Sequence, residues 1–349
     1  MCCRSFNLMK KRIYTLLFCA LGSVLLVMGM AYISNPDHHI GSGFIREIPS
    51  HKIEGIGFVP VMGKLHYLAG GDSTQVFLGN WAKPTELLKI SLPGKEADTV
   101  QMLLKDWSGL LEGIYLSLHQ GTAYLMDGLS GTYFKADTGI AVFGRRNRLP
   151  YFSAVVPLGR DIFILRVVQD SLINSLVKQA PGATDKPLVL DGRANSMFAT
   201  DGTLCATPDG SKIFYSYHYK NQFLCLDSNL KVLYTGKTID TCSVAQVKVA
   251  RVESDKSLRM AAPPRRVNLK AAVNEEWLFV QSAIKAENET EESLKGLATV
   301  DVYKVGNGKY QFSLYIPDFK DQKLRDFRVY GKYFVGLYKE CVYIYRLNF

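Results

Sequence analysis

Residues 204–236 read LCATPDGSKIFYSYHYKNQFLCLDSNLKVLYTG, and this stretch decides the fold. It divides into four short strands, 204–206, 212–217, 222–227 and 232–236, each separated from the next by turn chemistry. Pro208 presets one backbone angle and Gly210 supplies a left-handed position. Asn221 and the pair Ser228-Asn229 mark the next two reversals. A four-stranded meander of about forty residues is the size of one blade of a β-propeller.

The same pattern, a polar or glycine turn followed by a short apolar and aromatic strand, recurs on both sides of that stretch. Taking Leu65, Ala123, Ile162, Ile213, Trp277 and Tyr333 as equivalent positions gives six copies. Their steps run from roughly 40 to 65 residues, room for four strands and their loops. A second strand follows across a turn in most copies, as in 74–78, 132–135, 223–227, 298–303 and 342–347. Many of these strands, YFVGLY and CVYIY among them, are apolar on both faces. That suits sheets covered on both sides, as blades between neighbours are; a two-sheet sandwich alternates more strictly. No intervening stretch sustains a helical period, and 103–118, the nearest, is broken by glycines.

The last copy has three strands, 325–330, 333–338 and 341–347, before the chain ends at Phe349. An open ring leaves an unpaired edge. Phe44-Ile45-Arg46-Glu47-Ile48 stands before the first copy and is the expected donor of the missing strand, antiparallel to 341–347.

Ahead of it, residues 13–33, IYTLLFCALGSVLLVMGMAYI, carry no charge. As a helix they extend about 31 Å, the thickness of a bilayer's hydrocarbon core. Lys10-Lys11-Arg12 just before them keep the N-terminus in the cytoplasm and send the rest out. The competing assignment is a cleaved signal peptide, with Gly29-Met30-Ala31 as its processing site. The apolar run exceeds a signal-peptide core, which favours a retained anchor. Phe18 before Cys19 is too bulky for lipoprotein processing.

The sequence therefore predicts an all-β six-bladed β-propeller over residues 43–349, closed by an N-terminal strand. Before it come a cytoplasmic basic segment (1–12), one transmembrane helix or uncleaved signal anchor (13–33) and a linker (34–42). The bilayer is its first partner, through 13–33. The propeller lies outside the membrane, in the periplasm of a Gram-negative cell.

Composition narrows the function. Hydrophobic content of 47% supplies a core, and 19 Tyr with 18 Phe favour strands. Net charge is +10, part of it on Arg4, Lys10, Lys11 and Arg12. The excess left on the propeller is a modest, solvated one, so nucleic acid is not an expected partner. Cys205, Cys225, Cys242 and Cys341 form no CxxC pattern. Cys205 and Cys225 fall on the first and third strands of one blade, about 9–10 Å apart and beyond disulfide reach. All four are expected as free thiols.

The turn Thr-Pro-Asp-Gly-Ser-Lys-Ile-Phe-Tyr at 207–215, the six spaced copies and the closing strand resemble bacterial six-bladed β-propellers of the TolB-like and Tyr-Val-Thr-Asn-repeat kind. The fourfold Tyr-Val-Thr-Asn signature is replaced here by Ile213-Phe214-Tyr215-Ser216. The superfamily includes binding scaffolds and enzymes, so the resemblance implies a fold and no activity.

Motifs for chemistry are few. Gly71-Asp72-Ser73 is similar to the nucleophile block of a lipase family, but no later histidine stands in an Asp-x-x-His setting, and a turn is the better reading. No Gly-x-Ser-x-Gly elbow, His-Glu-x-x-His helix, phosphate loop or dinucleotide fingerprint occurs. Asp37, His38 and His39, with His51, are most simply polar linker residues, and no metal or other cofactor is expected. Asn288-Glu289-Thr290 is a formal glycosylation sequon within an acidic stretch, 287–292, expected as a solvated hairpin. Arginines before the first strand of consecutive blades are the candidate ligand-binding residues: Arg145 and Arg148, Arg193, and Arg266. Loops at those points lie on one face beside the central channel, where planar guanidinium donors suit a carboxylate or phosphate. The expected function is a non-enzymatic binding or scaffold module for a protein partner or anionic ligand. The alternative is a propeller enzyme of the metal-dependent hydrolase or lactonase kind, which needs several Asp, Glu or Asn side chains at the channel mouth.

Overall fold

The computed structural model describes residues 2–34 and 42–349, apart from 62–64, 95, 105–113, 138–141, 145, 160, 170–171, 192–195 and 255–256. It divides into two units, Met1–Gly41 and Ser42–Phe349. The first is a helix, Cys2–Ser34, whose side chains are described over 14–30. Among the described residues no helix is long and apolar enough to cross a membrane, so the expected span over 13–33 is not found there.

The second unit is a six-bladed β-propeller. Blade 1 spans 66–101, blade 2 115–148, blade 3 154–189, blade 4 202–237 and blade 5 268–317. Blade 6 takes three strands from 326–347 and one from the N-terminal side. The six inner strands are His66–Gly71, Tyr115–His119, Ala154–Gly159, Gly202–Ala206, Asn268–Val273 and Asp326–Tyr330. Each neighbours the next, and the last neighbours the first, so the ring is closed around a channel. An additional hairpin, Val249–Arg251 with Leu258–Met260, lies in the long connection between blades 4 and 5.

Blade 4 has the strands Gly202–Ala206, Lys212–Tyr217, Gln222–Asp227 and Val232–Lys237, paired in that order. Its first hairpin shows why so few residues fix it. The Gly210 amide donates to Thr207 O (2.8 Å), and Gly210 takes φ 67°, which a side chain rarely adopts. Asp209 Oδ1 accepts from the Thr207 hydroxyl (2.6 Å) and the Ser211 amide (3.0 Å). All of these contacts are local. The second strands are buried along nearly their whole length, as in Lys212–Tyr217 and Tyr333–Leu337. Between blades the apolar faces meet: Phe214, Phe223 and Cys225 of blade 4 pack with Ala271, Leu278 and Tyr303 of blade 5. Cys205, Cys225, Cys242 and Cys341 are free thiols.

Three expectations are corrected. First, the ring is closed by Ile53–Pro60 and not by 44–48. Ile53–Pro60 pairs antiparallel with Cys341–Leu347 from Ile53 opposite Leu347 to Pro60 opposite Cys341, with a bulge between Gly55 and Gly57. Backbone bonds continue the ladder at both ends, from Val61 N to Glu340 O and from Asn348 N to Lys52 O, each 2.9 Å. Gly55 leaves room for Tyr343 across the ladder: a Cβ would lie 2.8 Å from its hydroxyl oxygen. Proline is tolerated at the end of this edge strand, where one backbone donor is dispensable.

Residues 43–48 instead form a strap against blade 5. Phe44 is buried with Val267, Ile284 and Ala286. The strap exchanges backbone bonds at Glu287 N to Phe44 O (3.0 Å) and Ser313 N to Glu47 O (2.8 Å). The reason is Arg46, whose side chain is fully buried. Its guanidinium grips Asp301 with two bonds (2.7 and 3.1 Å), Glu289 Oε2 at 2.6 Å and Ile284 O at 2.9 Å.

Second, Glu289 is not part of a solvated hairpin; it is 4% exposed and serves that clamp. The Asn288 side chain is engaged too, its amide donating to Arg46 O (2.9 Å). Third, Leu65 is not equivalent to the other five repeat positions. It precedes the inner strand of blade 1, whereas Ala123, Ile162, Ile213, Trp277 and Tyr333 lie on second strands.

Candidate functional site

Inner strands expose part of each side chain to the channel, so polar residues on them define its chemistry. In Asp326–Tyr330 the apolar Phe327 and Val329 are buried, while Asp326, Arg328 and Tyr330 are partly exposed. Lys270, on the inner strand of blade 5, joins them. Its Nζ is 4.0 Å from Asp326 Oδ1, and Arg328 Nη1 is 3.7 Å from the same oxygen. The side chains of Lys270 and Arg328 remain 43% and 37% exposed, so both cations meet solvent within the channel.

Burial works against the Arg328 charge, but Asp326, then Tyr330 and Cys205, more than restore it and raise its pKa. Burial pushes the Cys205 thiol up to about 12 despite Arg328, so it is no nucleophile near neutral pH. Two cations thus share one carboxylate at distances too long for tight pairing, leaving a net positive charge with donors to spare.

A second polar cluster joins blades 3 and 4. Arg166 ion-pairs with Asp201 and donates to Gly202 O (3.0 Å), the Tyr215 hydroxyl (3.3 Å) and Ser153 Oγ (2.9 Å). The Tyr215 hydroxyl in turn donates to Thr200 O (2.6 Å). His218 Nδ1 lies 3.5 Å from Asp201 Oδ2, and its Nε2 lies 3.1 Å from Thr203 Oγ1. Burial raises the Asp201 pKa, but His218 and Arg166 outweigh it and hold the carboxyl down at about 2. The carboxylate–imidazole–hydroxyl order has the outline of a nucleophilic relay. Arg166 already neutralises Asp201, however, and 3.5 Å is too long to orient the imidazole. The cluster is an inter-blade staple.

Arg145 and Arg193 lie outside the described residues. Arg148 is exposed on the outermost strand of blade 2, opposite Thr132. Arg266 is exposed two residues before the inner strand of blade 5. Lys270 and Arg328 were missed; the signal for them was the period-two alternation of polar and apolar residues in 326–330.

Gly71-Asp72-Ser73 is a turn. Burial raises the Asp72 pKa, but bonds from the Thr74 hydroxyl (2.5 Å), the Thr74 amide (2.8 Å) and Gln75 prevail and lower it. His51 is exposed in a turn, and His38 and His39 lie outside the described residues. Among the described residues no three His, Cys, Asp or Glu side chains gather so as to hold a metal ion.

The fold is a six-bladed β-propeller in which Lys270, Arg328 and Asp326 meet on neighbouring inner strands. No family model and no curated protein matches the chain. Solved structures do. A protein of Bacteroides fragilis assigned as exported is 11% identical, covering 88% of this chain and 98% of its own, with a TM-score of 0.50. A member of the DUF4221 family from Bacteroides vulgatus is 8% identical, covering 87% and 97%, with a TM-score of 0.51. At such identities the likeness concerns the fold alone.

Proposed function

We propose that this protein is a non-enzymatic binding or scaffold module, a propeller held on the outer face of a membrane that takes an anionic ligand or an acidic protein partner. The observation that carries the reading is the pairing of Lys270 and Arg328 around a single carboxylate in the channel. A ligand carboxylate or phosphate entering there gains charge-assisted bonds that Asp326 leaves unmade. Arg145, Arg148, Arg193 and Arg266 are proposed as further donors that draw anions toward the propeller.

Residues 13–33 are proposed as the membrane anchor, with the N-terminus cytoplasmic. Large apolar side chains along the helix, among them Leu16, Phe18, Leu21 and Leu25, are exposed, and a bilayer is the medium that accepts them. An extracytoplasmic propeller also agrees with the exported assignment of the Bacteroides fragilis protein.

The test is calorimetric titration of full-length protein in detergent with citrate and inorganic phosphate. Lys270→Ala with Arg328→Ala is expected to weaken binding by about tenfold or more, the loss of one to two charge-assisted bonds. Equal binding by the wild type and the double variant refutes the channel site.

A further inference from the structure

A cavity of about 310 Å³ lies apart from the channel residues, beside the connection between blades 4 and 5. Buried Tyr219 and Val267 line it, together with Cys242, Ser243, Gln246 and Arg265. Its walls come from three places in the chain: the turn after Lys212–Tyr217, the start of the long connection, and the segment that returns to the inner strand of blade 5. We infer that this cavity binds the free carboxylate end of a peptide chain whose last residue is apolar.

Part of the wall is tied to blade 4. Asn221 N donates to Cys242 O (2.7 Å), and Asn221 Nδ2 donates to Asp240 O (2.5 Å), both tying the connection to blade 4. Val267 N donates to His218 O (2.8 Å), tying the returning segment to the same turn. Those tied segments lose little freedom on binding.

The charge pattern selects the ligand. Arg265 is the one charged residue in the lining, and among the described residues no carboxylate is ion-paired with it. Asp240, close in the chain, is turned to other work: it accepts from the Thr238 hydroxyl (2.6 Å) and the Cys242 amide (2.9 Å). The cavity therefore offers one forked cation, matched to a single carboxylate. Ser243 and Gln246 add a hydroxyl and an amide, while Tyr219, Val267 and Cys242 give an apolar wall for a side chain. Volume sets the size: about 300 Å³ is the lower end of small-ligand pockets and holds one to two residues.

The experiment titrates full-length protein with the tripeptide Gly-Gly-Leu as free acid and as C-terminal amide. The free acid is expected to bind at least tenfold more tightly, and Arg265→Gln to remove that difference while leaving the amide unaffected. Lys270→Ala with Arg328→Ala is expected to leave tripeptide binding unchanged, which separates this site from the proposed channel site. Absence of binding by the free acid, equal binding of acid and amide, an unaltered Arg265→Gln variant, or equally strong displacement by inorganic phosphate overturns the inference.

Discussion

Arg46→Ala is expected to be the most damaging single surface-to-core change in the N-terminal region. Arg46 is the only cation that the strap places against Asp301 and Glu289, whose side chains are 2% and 0% exposed. Burial opposes the Arg46 charge, yet its hydrogen bonds and attraction to Asp301 and Glu289 raise its pKa, so it stays ionised throughout the accessible range. Removing it strands two carboxylates without water. Deleting one partner of a buried pair costs about 3–5 kcal/mol. At about 2 °C per kcal/mol for a domain of this size, Tm falls by roughly 8 °C. The assay is thermal unfolding by circular dichroism in detergent, with a rescue arm. Adding Asp301→Asn and Glu289→Gln to Arg46→Ala removes the stranded charges and should recover more than half of the loss, a non-additivity expected of one network. An Arg46→Ala protein that melts within 2 °C of the wild type, or a triple variant less stable than the single one, refutes the clamp.

Two further outcomes follow from the fold. A chain beginning at residue 61 lacks Ile53–Pro60 and leaves Cys341–Leu347 as an open edge, so it should unfold at lower denaturant or self-associate by light scattering; stability equal to that of a chain beginning at residue 49, which lacks only the strap, refutes the closure. Asp201 has a folded pKa depressed to about 2 from 3.8, so its contribution is full above pH 4 and is lost as pH falls toward 2. With a side chain 32% exposed, that contribution is about 1–2 kcal/mol after screening. Urea melts at pH 5, 3 and 2 should show a larger acid loss in the wild type than in Asp201→Asn; parallel losses refute it.

Local chemistry made blade 4 readable. Pro208, Asp209 and Gly210 fix their hairpin through contacts within a few residues, and Asp227 does the same in the next turn by accepting from the Asn229 and Lys231 amides at 2.9 Å. The blade count and the strand order within blades followed from that, because each hairpin carries its own turn signal. The first copy slipped by one strand because Leu65 and its neighbours look like a second strand when read without partners; burial, not composition, separates the two.

What the chain could not announce was the destination of its N-terminal segment. Residues 44–48 have better strand composition than 53–60, which carries Gly55, Gly57 and Pro60. Tertiary structure reversed that ranking because Arg46 finds its two carboxylates 243 and 255 residues away, and because Gly55 clears space for Tyr343 across the ladder. The channel site was half legible: the alternation in 326–330 marks which side chains face away from the core. Only the packing of blade 5 against blade 6 carries Lys270 to Asp326 and Arg328. A sequence specifies turns by neighbours along the chain, whereas a buried charge or an edge strand is specified by whatever the rest of the fold brings beside it.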